Sequence, residues 1–129
     1  MAYITSLIIG VISMLETLEF KSTLHGELFA KLMSKMGAQS SDRYRVSLAW
    51  VWSATYKDEL LSCVDSGVDL DKIEELIKPY TNAEKSLIRF GLQCYNENFD
   101  DITLPDVLVS LDLENKEVVR QAIYLRYDI

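Results

Sequence analysis

The sequence predicts an all-α protein, a compact single-domain helical bundle of about six to seven helices that spans residues 1–129. Five glycines and two prolines in 129 residues are too few for an all-β sandwich, which needs a turn about every ten residues. Apolar residues make up 49% of the chain and charged residues 26%, a balance typical of a folded domain with its own core. Apolar residues also recur at helical spacing along most of the chain.

The first helix is predicted over residues 3–18. Ile4, Ile8 and Val11 recur at the spacing of one helical face, and further apolar residues lie beside that face. We therefore expect this helix to be buried on two sides, as a helix that supports a homodimer would be. No lysine or arginine precedes Lys21 and the apolar run is shorter than a membrane span, so we expect neither a signal peptide nor a membrane helix.

A second helix is predicted from Ser22 to Met36, with a polar cap at its start and Gly37 just past its end. A long third helix is predicted from Asp42 to about Asp65, closed by Gly67. Apolar residues alternate with period two over 46–52, which leaves a strand as the alternative there. The sequence that follows favours a helix.

Two tryptophans lie on nearly opposite sides of this third helix, about 200° apart. We expect both Trp50 and Trp52 to be buried in the core. The alternative is that one of them is exposed beside Arg43, Arg45 and Lys57, where it would serve as an interface anchor.

Four more helices complete the predicted bundle. Asp69 caps a short fourth helix, and Thr81 with Glu84 forms the capping box of a fifth. The last two are predicted from Pro105 to about Leu111 and from about Glu114 to Tyr127.

No set of residues in the sequence makes a specific active site, so we predict that the protein is not an enzyme. His25 is the one histidine, and we expect it to be a surface residue or a hydrogen-bonded core residue. Cys63 and Cys94 form no C-x-x-C pair; we expect both to be buried in a reducing, cytoplasmic setting.

We expect no metal and no other cofactor. One histidine and two distant cysteines do not make a zinc site. The loop from Asn96 to Asp101 resembles the start of a calcium loop, but it lacks the turn glycine, and Val107 stands where a bidentate glutamate is required.

The charge of the chain favours a protein partner over a nucleic acid. The net charge is −7 and the pI about 4.6, the wrong sign for tracking phosphates. Residues 68–101 hold eight acidic and four basic residues. We predict an acidic surface there that competes for a basic site on a target, formed by Asp69, Asp71, Glu74 and Glu75.

Residues 104–111 and 115–123, separated by a short break, resemble a helix-turn-helix. The resemblance implies that the last helix would enter the major groove of DNA. The face of this helix that would make contact is basic and aromatic, and consists of Lys116, Arg120, Tyr124 and Tyr127. The same groups also suit a protein partner.

We therefore predict a small acidic intracellular protein that binds a macromolecular partner without catalysis, as inhibitors, immunity proteins and adaptors do. The expected partner is a protein, and no membrane partner is expected. The alternative is a helix-turn-helix regulator that contacts DNA through its C-terminal helix.

Overall fold

The computed structural model describes residues 19–99 and 101–128, and over these ranges the chain is helical and contains no β-strand. In order, the elements are α1 (Thr23–Met36), α2 (Arg43–Ser53), a 3₁₀ helix (Asp58–Cys63), α3 (Leu70–Leu76), α4 (Asn82–Tyr95), α5 (Leu104–Val109) and α6 (Leu113–Tyr127). The all-α prediction is confirmed. The helix predicted over residues 3–18 lies outside the described ranges. Of the helices just named, none has the length and apolar character needed to cross a bilayer.

Helix α2 is the central element of the bundle. Helices α1, α4 and α6 pack against it, and every residue from 46 to 53 is buried. A helix with neighbours on all sides is apolar all round, and this burial explains the period-two pattern over residues 46–52. The strand alternative is therefore wrong.

The two tryptophans join α2 to two of its neighbours. The indole N–H of Trp50 donates to the carbonyl oxygen of Val118 in α6 at 3.1 Å, and that of Trp52 donates to the carbonyl oxygen of Ile88 in α4 at 3.0 Å. Gly91 makes the second contact feasible, because a Cβ atom at this position would lie 2.6 Å from Cδ1 of Trp52. Both indoles are fully buried, so burial is confirmed and the exposed-anchor alternative is wrong.

The long third helix is a wrong prediction, because α2 ends at Ser53 and not near Asp65. Tyr56 has φ +62°, a left-handed conformation in which a right-handed helix cannot continue. Its hydroxyl lies 2.7 Å from the hydroxyl oxygen of Ser22. The chain then turns into the 3₁₀ helix, which packs against α1 and buries Leu60.

The other boundaries lie close to the predicted ones because local caps determine them. Ser22 caps α1 and Gly37 ends it with φ +62°. Thr81 and Glu84 make both bonds of the predicted capping box of α4. Helix α5 begins at residue 104 and ends at 109, since Thr103 forms a second capping box that sequence reasoning missed.

Candidate functional site

The four predicted acidic residues are all exposed and have three different roles. Asp69 is the N-cap of α3, and its Oδ1 accepts from the main-chain N–H three residues on at 3.1 Å. Glu75 forms an exposed ion pair with Lys78 at 2.7 Å, a kind of pair that contributes little to stability. Asp71 and Glu74 have no ion pair within the described residues. Two carboxylates of α3 are therefore available to a partner.

An open groove of about 380 Å³ lies beside these acids, in the segment that joins the 3₁₀ helix to α3. It is lined by Ser62, Cys63, Val64, Asp65, Gly67, Val68 and Asp69. Cys63 and Val64 are buried and supply an apolar floor, whereas Asp65 and Asp69 are exposed and supply carboxylates at the mouth. Sequence reasoning missed the groove because it assigned residues 62–65 to the long third helix.

Hydrogen bonds fix the shape of the loop that carries the groove. The guanidinium of Arg45 donates to the carbonyl oxygen of Ser66 from Nε at 2.9 Å and from Nη2 at 2.6 Å. The same guanidinium is held by Asp42 at 2.8 Å. The N–H of Asp69 donates to the carbonyl oxygen of Cys63 at 2.8 Å. The groove is therefore set by the fold before any partner binds.

Leu70 gives this region an apolar contact point. It is the first residue of α3 and remains 42% exposed between two aspartates. Five acidic and two basic residues occur from 65 to 78, so the surroundings of Leu70 are negatively charged. We call the following set the acidic surface: Asp65, Asp69, Leu70, Asp71, Glu74 and Glu75.

Val118, Ala122 and Leu125 form the buried side of α6. On the outer face of the helix Arg120 does not act as a free cation. It donates from Nε to Oε2 of Glu117 at 2.9 Å. Hydrogen bonding by Arg120 lowers the pKa of Glu117 to about 2.

Tyr127, one of the two aromatic residues of that face, contacts Arg126 at the C-terminal end of α6. The guanidinium of Arg126 lies 4.7 Å from the ring centroid of Tyr127 and 3.9 Å from that of Tyr44. It also donates to the carbonyl oxygen of Cys94 at 2.8 Å. Tyr124 is partly buried. Lys116 is exposed, and its side chain has no ion pair or hydrogen bond within the described residues.

The pair α5 and α6 lacks the internal packing of a helix-turn-helix. Helix α5 packs on α4 and helix α6 packs mainly on α2, and α5 and α6 have no extensive contact with each other. The residues at the start of α6, which would approach base edges in such a motif, are acidic at Asp112 and Glu114. The acidic surface lies on α3 and the loop before it, and α3 has no extensive contact with α6, so the structure does not bring the two predicted groups of contact residues together.

The side chains with reactive chemistry are buried. His25 uses both ring nitrogens in hydrogen bonds, and burial lowers its pKa to about 4. Burial raises the pKa of the Cys94 thiol to about 12 and also raises that of Cys63, which disfavours the nucleophilic thiolate form. Over residues 19–99 and 101–128 no three histidine, cysteine, aspartate or glutamate side chains are grouped to hold a metal ion.

The chemistry that this arrangement offers is the recognition of a cationic, partly apolar surface. Exposed carboxylates, a groove of fixed shape and a half-exposed leucine lie next to one another in sequence and on one loop–helix unit. Comparisons of the chain with protein-family models, with curated proteins and with solved structures give no match.

Proposed function

We propose that this protein binds a protein partner through the acidic surface and does so without catalysis, as an inhibitor, an immunity protein or an adaptor. The observation that supports this most directly is the groove of fixed shape flanked by exposed carboxylates. Its hydrogen-bonded loop requires little ordering on binding, which favours affinity.

The mechanism would be occlusion of a basic site on the partner. An apolar anchor within a charged rim is typical of protein interfaces, and here Leu70 is the anchor while Asp71 and Glu74 are rim charges. Negative charge around the anchor steers a basic partner toward this surface and disfavours the binding of acidic proteins. The two cysteines are both free thiols, in keeping with a cytoplasmic location. Self-association through residues 3–18 is part of the same proposal.

Contact with DNA through α6 has less in its favour. Of the basic side chains expected to meet phosphates, Arg120 is engaged by Glu117 and only Lys116 is unengaged within the described residues. The net charge of −7 opposes the electrostatic attraction on which phosphate binding depends.

The proposal is tested by reversing two charges of the acidic surface. We expect Glu74→Lys/Glu75→Lys to weaken partner binding by about tenfold or more, because like charges would then face each other across the interface. A matched control is Glu19→Lys/Glu27→Lys, which changes the net charge equally at two other exposed positions.

Tagged wild-type protein and both double variants would be used to capture partners from nuclease-treated host lysate, with quantification by mass spectrometry. Circular dichroism would verify that each variant is folded. A stoichiometric protein retained by the wild type and the control, but lost with Glu74→Lys/Glu75→Lys, supports the proposal. Equal retention by all three proteins, or no protein above background, contradicts it.

A further inference from the structure

The turn between α5 and α6 carries the most exposed large apolar side chains of the described residues. Val109, the last residue of α5, is 83% exposed, and Leu113, the first residue of α6, is 82% exposed. We call Val109 and Leu113 the apolar corner. Exposed apolar residues are unremarkable when scattered, but a group of them marks an interaction site.

The fold does not need these side chains for its own core. Helix α5 is attached through Val107 and the turn through Leu111, both of which are buried. The hydroxyl of Ser110 adds a hydrogen bond to the hydroxyl oxygen of Ser86 in α4 at 3.1 Å. Because separate residues provide the attachment, the exposed side chains are held in place and remain free to contact a partner.

Hydrogen bonds stiffen this turn and the short helix that precedes it. Thr103 and Asp106 form the capping box of α5, and Asp112 caps α6 by accepting from the N–H of Asn115 at 2.9 Å. Val109 and Leu113 are thus carried by two capped helices, and a partner does not have to order them.

The charges around the corner identify the kind of partner. Asp106, Asp112 and Glu114 are exposed close to it in the sequence. Among the described residues, the nearest exposed basic residue along the chain that has no ion pair is Lys116. Phosphates of DNA and anionic lipid headgroups would be repelled by this surface. A second copy of the same face would be repelled too, since a two-fold contact would set carboxylates against carboxylates.

We propose that the apolar corner docks a cationic amphipathic segment of a protein partner, with Val109 and Leu113 as anchors and Glu114 as an ionic contact. The inference rests on the proposed function in that it assumes a protein partner. It assigns a second contact surface, on different helices from the acidic surface, and it gives the helix-turn-helix-like segment a protein-binding role.

The test uses a helical peptide of leucine and lysine at amphipathic spacing as the probe, titrated against the full chain by fluorescence anisotropy. We expect saturable binding that Val109→Ser/Leu113→Ser weakens by about tenfold or more. The control variant Leu24→Ser removes an apolar side chain that is 58% exposed on α1 and should change the affinity by less than about twofold. A leucine–glutamate peptide of the same length and spacing should not bind.

Several results would overturn the proposal: no saturable binding, equal affinity for Val109→Ser/Leu113→Ser and the wild type, or tighter binding of duplex DNA than of the peptide. Self-association of the wild type that the double serine variant abolishes would identify a second copy as the occupant and would also overturn it. Glu74→Lys/Glu75→Lys separates the two proposals. If this variant keeps peptide affinity but the serine variant loses it, the corner is supported whether or not the acidic surface binds a partner.

Discussion

His25 is a buried histidine in which both ring nitrogens have main-chain partners. Its Nδ1 accepts from the N–H of Lys21 at 3.0 Å, and its Nε2 donates to the carbonyl oxygen of Trp50 at 2.8 Å. This pattern requires the neutral ring with its proton on Nε2. A second proton, on Nδ1, would face the N–H of Lys21. It would break the hydrogen bond that joins Lys21, in the segment before α1, to His25 in α1.

The consequence is a stability that falls in mild acid. Burial lowers the folded-state pKa of His25 to about 4, below the ordinary value of 6.5, so the unfolded chain takes up the proton first. The contribution of His25 is fully present above pH 6.5, declines as the pH falls to about 4, and amounts to about 3 kcal/mol of unfolding free energy.

Because His25 is the only histidine, its NMR signals can be assigned without ambiguity. We expect its ring resonances not to titrate between pH 5 and 8 while the protein is folded. Denaturation of His25→Gln at several pH values should show a shallower loss of stability in acid than the wild type shows. An NMR midpoint near the ordinary value would contradict the assignment of a buried neutral ring.

At the scale of elements, every described α-helix begins with a residue whose side chain accepts a main-chain N–H. These caps are Ser22, Asp42, Asp69, Thr81, Thr103 and Asp112. Short helices depend strongly on such caps because several of their N–H groups lack internal partners. Helix α3, with seven residues, is the element whose cap is also part of the proposed binding surface.

Asp69 therefore has a structural role and a proposed binding role that substitutions can separate. Asp69→Ala removes the cap and should lower the free energy of unfolding by about 1 kcal/mol. Asp69→Asn keeps a good cap but removes the charge, so it should leave stability nearly unchanged and weaken partner binding. Urea denaturation and the lysate capture described above measure the two effects. A loss of stability in Asp69→Asn as large as in Asp69→Ala would show that the charge, and not the capping bond, stabilises α3.

At the scale of the whole molecule, α2 connects the bundle. Each of α1, α4 and α6 packs on it, and the indoles of Trp50 and Trp52 donate to two of these neighbours. None of the three helices can detach without exposing buried area of α2, which is costly. The 3₁₀ helix and α3 lie at the margin of this arrangement: the 3₁₀ helix packs on α1, and α3 packs on the 3₁₀ helix.

We therefore expect one cooperative unfolding transition for the described part of the chain. Tryptophan fluorescence, which reports on the packing of α2 against its neighbours because both tryptophans lie on α2, should change together with the helical circular dichroism signal. Hydrogen exchange should be slowest in α2 and faster in α3. Separate transitions for the two signals, or amides of α2 that exchange as fast as those of α3, would contradict the central role of α2.

Local signals in the sequence were sufficient for most helix starts and for the exposure of the four predicted acidic residues. Ser22, Asp69 and Thr81 act through bonds within a few residues, so their effect can be predicted without the fold. Exposure of Glu74 and Glu75 follows from the apolar spacing of their own short helix. The Arg120–Glu117 pair, three residues apart on α6, was also within reach of local reasoning but was not predicted.

The groove and the end of α2 could not be predicted because they depend on distant contacts. Helical spacing continues past Ser53, yet the chain turns at Tyr56, whose hydroxyl contacts that of Ser22. The loop that forms the groove is held by Arg45, twenty-one positions away from Ser66. No periodicity within a window of the sequence contains such contacts.

The sequence by itself determined the helical class, the caps of the helices and the excess of acidic surface, since composition, spacing and short-range hydrogen bonds suffice for these. The tertiary structure decided that α2 is enclosed, that both tryptophans are buried, and that Val109 and Leu113 are exposed. These features depend on which helices pack together. Burial is a property of the whole packed chain, and the same apolar residue is core or contact surface according to its neighbours.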